Sequence, residues 1–206
     1  MRADAVLSAA LAVLATASAA VAAVTPPAVN PAGPLGTRLS YVATQFCVDV
    51  LSRKVALPAT PDAEQVLFAG YGLTSGLPNA AMLALGRDIS LVEQATLASG
   101  EASDGAFMVA LGGRAGETCR IIVYRAPLDG LFVKAAYRAM QMPAQGWRSL
   151  PVPQQPKAAR KLSLFKRDAK HRPYLANILA PTAPGPIAAI VTVSAIPANI
   201  TIPKGY

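Results

Sequence analysis

Apolar residues recur at three- and four-residue steps between Arg38 and Lys54. Leu39, Val42, Ala43, Phe46, Val50 and Leu51 fall on one side of a helix. Thr37 suits its N-cap, and Arg53 and Lys54 suit the negative end of its dipole. A second helix is predicted from Pro61 to about Tyr71, opened by Thr60, Pro61, Asp62 and Glu64 and closed by Gly70 and Gly72. Asn79 to Gly86 offers a further helical turn.

The pattern then changes to alternation. Ser90 to Ala98 alternates, and Ala106 to Leu111 is continuously apolar, as a central strand requires. Thr118 to Arg125 sends Cys119, Ile121 and Val123 one way and Arg120, Ile122 and Tyr124 the other. Gly112 to Gly116 reads as the hairpin loop between the last two strands. A third helix is predicted over 128–140, burying Leu131, Phe132, Ala135, Ala136 and Ala139. Residues 143–156, rich in Pro and Gln, read as a surface connection that exposes Trp147. Strands are predicted at 162–166, 174–179 and 187–196, with turn residues suited to a meander. The order helix, helix, three strands, helix, three strands indicates a single α+β domain with a mainly antiparallel sheet.

The N-terminus has its own pattern. Arg2 precedes an uncharged stretch, Ala5 to Val24, whose end carries Ala17-Ser18-Ala19 and Ala20-Val21-Ala22 before Pro26 and Pro27. This is the layout of a secretory signal. The expected organisation is a signal peptide over 1–22, a Pro/Gly-rich linker over 23–36 and the folded domain over 37–206. Cleavage after Ala19 is the other option. A retained anchor is the alternative to cleavage, though Ala dominates the stretch and few Leu residues supply insertion energy. After cleavage no membrane span is expected.

Export changes how the cysteines read. Cys47 and Cys119 are the only two in the chain, and in an oxidising compartment they are expected to form a disulfide pinning the first helix to a central strand. Periplasm or the extracellular space is the expected location. There is no C-x-x-C motif, and His171, the lone histidine, sits among cations in a predicted hairpin tip. One His and two Cys do not make an ordinary zinc site, so neither metal nor cofactor is expected. No G-x-S-x-G is present. Gly70, Gly72 and Gly76 follow a helix and match neither the dinucleotide fingerprint nor the P-loop. Glu101 and Asp104 share a Gly-bounded stretch that reads as a solvated turn.

The chain carries 19 Lys and Arg against 11 Asp and Glu, a net charge of +8. Lys157, Arg160, Lys161, Lys166, Arg167, Lys170 and Arg172 crowd one segment, opposed only by Asp168. Behind an export signal these residues suggest binding to an anionic envelope component or an acidic protein, not nucleic acid. The expectation is an exported, non-catalytic accessory or interaction protein. The alternatives are a small-ligand binder with a pocket between helices and sheet, and an enzyme built on Asp/Glu and Arg residues. The sequon Asn199-Ile200-Thr201 matters only in a eukaryotic secretory pathway.

Overall fold

The computed structural model describes residues 33–112, 117–197 and 200. The signal segment, the linker up to residue 32, the loop 113–116, and residues 198–199 and 201–206, which include two of the three sequon residues, lie outside the described residues. Among the described residues the first element is a continuous helix, α1, formed by Leu35–Tyr41, a π-helical stretch Val42–Phe46, and Cys47–Leu51. Next come α2 (Pro61–Gly70), β1 (Thr74–Ser75), α3 (Asn79–Leu85), β2 (Ala95–Ala102), β3 (Gly105–Gly112) and β4 (Thr118–Arg125). Then follow α4 (Leu131–Met140), β5 (Arg148–Leu150), β6 (Ala159–Arg167), β7 (Pro173–Pro181) and β8 (Ala189–Ala195). The strands make one eight-stranded antiparallel sheet in the order β1-β2-β3-β4-β8-β7-β6-β5. The α+β class and the mainly antiparallel sheet are as the pattern predicts; the short β1 and β5 are additions at the two sheet edges.

Alternation along the central strands separates two cores. Cys119, Ile121 and Val123 on β4 pack with Val109, Val191 and Val193 beneath α1, α2 and α4. Ile122 faces the other way and joins Met108 and Ala110 under α3, with Ala81 and Leu85. The period-2 assignment of β4 is therefore correct residue by residue. β2 is not placed where alternation put it: a 3-10 segment covers Gly86–Leu91 and the strand starts at Ala95. It runs on through Gly100, where the Phe107 ring occupies the space a side chain would need.

Cys47 and Cys119 form a disulfide, with Cα atoms 5.5 Å apart and a sequence separation of 72. The other end of α1 is held differently. The helix begins at Leu35, before Thr37, and its N-terminus is satisfied by Asp104, whose Oδ1 accepts the Leu35 N–H at 2.6 Å. Asp104 is thus a helix cap at an exposed turn, and Glu101 beside it makes a surface ion pair with Arg125 at 3.0 Å. Arg38, only 1% exposed, donates to the carbonyls of Gly72 at 2.7 Å and Glu101 at 3.4 Å and lies over the Phe107 ring. Its buried guanidinium ties α1 to the α2–β1 turn and to β2, and burial lowers its pKa. Gly36 lets α1 and α4 touch: a Cβ there would lie 2.7 Å from that of Ala135 and 2.9 Å from the Phe132 carbonyl.

Replacing both cysteines by Ala should lower unfolding free energy by about 4 kcal/mol, the loop-closure value for this separation. Gly36→Ala should cost about 1–3 kcal/mol by overpacking the α1–α4 contact. Urea denaturation of each variant measures both, and a wild-type midpoint for Gly36→Ala would show that the two helices separate freely.

Candidate binding cleft

Antiparallel pairing brings several connections to one end of the sheet. β4 ends at Arg125, β7 at Pro181, β6 starts at Ala159, and the β2–β3 turn lies alongside. At this end a cleft of about 1010 Å^3 opens between α4 and the β7–β8 loop. That volume is at the upper end of the range for small-molecule sites.

Both walls are locally stiffened. On the β4–α4 side, Asp129 Oδ1 accepts the Leu131 N–H at 3.0 Å, and Gly130 adopts a φ of +64° that a side chain would resist. On the other side, Pro181, Pro184 and Pro186 fix φ through the loop. Its ends are tied by Thr182 N–H to the Ala158 carbonyl at 3.0 Å and Ala188 N–H to the Val123 carbonyl at 2.8 Å. The Tyr137 and Ser149 hydroxyls meet at 2.6 Å, linking α4 to β5.

The exposed side of α4 along the cleft carries Leu131, Lys134, Arg138 and Gln141, at steps of three and four residues. This corrects the predicted face of the helix: Leu131 is exposed, and Phe132, Val133, Ala136 and Met140 are buried. The reason is that α4 packs on α1 as well as on the sheet, which rotates its apolar stripe toward Val133 and Met140. Arg160 and Leu162, both on the helix-covered side of β6, form the opposite wall. Lys134 and Arg138 repel each other as an i,i+4 like-charge pair. Lys134, Arg138 and Arg160 have no ion-pair or hydrogen-bond partner among the described residues. Among the described residues, Asp129 is the one carboxylate lining the cleft.

The seven cations singled out in the sequence do not form one patch. Lys157, Arg160 and Lys161 lie at the cleft end of β6; Lys166, Arg167, Lys170 and Arg172 lie at the far end. Arg160 and Lys166 are about 20 Å apart along the strand. Pleating also puts Lys161 and Arg167 on the opposite face from Arg160 and Lys166. Lys166 sits over Trp147, and burial lowers its pKa. Trp147 itself is 3% exposed, against the expectation of an exposed connection. Gly146, at φ +69°, turns the chain so that the indole tucks beneath the sheet beside β6.

Arg172 is structural. Its guanidinium binds Asp168 at 2.8 Å and donates to the Ser52 carbonyl at 2.9 Å, docking the β6–β7 hairpin onto the C-terminal end of α1. Partial burial works to raise the Asp168 pKa, but hydrogen bonds from the Arg172 N–H and guanidinium and the Lys170 N–H outweigh it and hold the value below normal. His171 is exposed at the hairpin with a φ of +59°. The cleft's two helix cations were missed because Lys134 and Arg138 are too sparse to read as a charge cluster. Their i,i+4 spacing was the available signal.

Comparison with known protein families, characterised proteins and solved structures returned no match.

A depressed carboxylate pKa adds stability above the unfolded-chain value of about 3.9, and that stability disappears as pH falls through the lower folded value. Asp168→Asn should therefore unfold at lower urea than wild type at about pH 7, with the gap narrowing below about pH 3. A gap of constant size across that range would show that the Asp168 charge contributes nothing.

Proposed function

We propose that the protein is exported to an oxidising compartment, periplasmic or extracellular, and there binds an anionic, partly apolar molecule without transforming it. The observation carrying this reading is the placement of Lys134, Arg138 and Arg160 around one open cleft with no partner of their own among the described residues. An anion seated between them relieves the Lys134–Arg138 repulsion. Leu131, Leu162 and Ile187 supply apolar wall for the rest of the ligand. The Cys47–Cys119 disulfide supports the compartment, because such bridges persist where thiols are not kept reduced.

Relative to the sequence expectation, the binding surface moves from the basic hairpin to the cleft, and only Arg160 belongs to both. Arg172 and Asp168 are committed to holding α1, and Lys166 to Trp147. Three carboxylates on which an enzyme could draw are engaged within the chain: Glu101 with Arg125, Asp104 with the Leu35 N–H, and Asp49 with Tyr71 and Lys54.

Dodecyl phosphate is a suitable probe, with decanol as the uncharged control. Titration calorimetry should show binding of the phosphate, weakened about tenfold or more in Lys134→Gln/Arg138→Gln/Arg160→Gln and weakened further by salt. Lys166→Gln/Lys170→Gln should bind like wild type. Equal affinity in wild type and the triple variant would refute the reading.

A further inference from the structure

The cleft end of the molecule exposes two leucines ahead of the cations of α4. Leu128, at the tip of the β4–α4 loop, is fully exposed, and Leu131 is 63% exposed. Since α4 runs inward from this end, Lys134 lies about 4.5 Å and Arg138 about 10.5 Å further along the helix axis than Leu131. Leu128 and Leu131 project at this tip, with the exposed Asp129 and Gly130 between them in sequence, and the helix cations lie about one and two turns behind.

Charge at this end is asymmetric in a second respect. Among the described residues three carboxylates lie here: Glu101 is paired with the cation Arg125, while Asp104 and Asp129 keep their charge and accept the Leu35 and Leu131 N–H groups. Lys134, Arg138 and Arg160 have no partner among the described residues. Gly33, whose carbonyl accepts the Ser103 N–H at 3.1 Å, also lies at this end.

The geometry points to a membrane surface as the place where this cleft works: the Leu128 and Leu131 side chains enter the acyl boundary of an anionic bilayer while Lys134, Arg138 and Arg160 hold lipid phosphates. This inference rests on the proposed cleft reading and names the ligand as a lipid still in its bilayer. The depth suits an interfacial contact, in which apolar groups sink roughly 5–10 Å and cations remain at the headgroups. An acidic polypeptide would engage the cations but would leave the projecting leucines without a role.

Vesicle co-sedimentation tests it, with phosphatidylglycerol-containing vesicles against pure phosphatidylcholine. Wild type should bind the anionic vesicles preferentially. Leu128→Ser/Leu131→Ser should weaken that binding about tenfold. The triple cation variant should weaken it on the order of fivefold per charge removed. Leu128→Trp should show a blue-shifted emission on adding anionic vesicles, while Trp147, already buried, contributes a constant background. Vesicle binding unchanged in the leucine variant would overturn the inference. So would binding of dodecyl phosphate or polyglutamate without binding of vesicles; dodecyl phosphate binding in that case would leave the cleft reading standing. Binding of neither dodecyl phosphate nor vesicles would overturn both.

Discussion

The fold depends on how α1 is held against the sheet. A helix crossing an antiparallel sheet at one contact can swivel, and α1 is prevented from doing so at both ends. Cys47 is bonded to Cys119 near the start of β4, and near the opposite end Arg38 and Asp104 tie the helix to β2 and the β2–β3 turn. Arg172 then meets the chain just beyond the helix at Ser52. With α1 fixed, Gly36 sets how closely α4 approaches, and the position of α4 defines one wall of the cleft. The covalent bond and the cleft are thus connected through two helix packings.

Sheet topology does the rest. Two three-stranded meanders meet where β4 pairs with β8, which brings the β4–α4 and β7–β8 connections to one end. One connection is closed by a glycine and an aspartate, the other stiffened by prolines. A cleft between such walls has little conformational freedom left to lose to a ligand. The opposite end is built for stability instead, with Asp168, Arg172 and Tyr174 joined in a hydrogen-bonded group beneath the end of α1.

Local pattern and long-range contact differed in how legible they were. β4 was readable because its side chains alternate without exception, and the disulfide because only two cysteines exist. Trp147 was misplaced because surrounding Pro and Gln residues describe the loop's composition, whereas a single left-handed glycine decides where the indole goes. Asp104 as a helix cap, 69 residues from its partner, leaves no local trace. The basic segment drew attention by density in sequence. A strand turns adjacent residues to opposite faces and spreads them along its length, so density there does not make a surface patch. The cleft cations come from two distant segments, α4 and β6, and nothing short of the fold brings them together.

Amide chemical-shift mapping during titration with dodecyl phosphate tests the central claim most directly. The account predicts perturbations concentrated in residues 126–138, at Arg160 and Leu162, and in residues 180–188, with residues 166–172 unmoved. Shifts confined to residues 166–172, or scattered over the surface with no focus at the cleft, would contradict it.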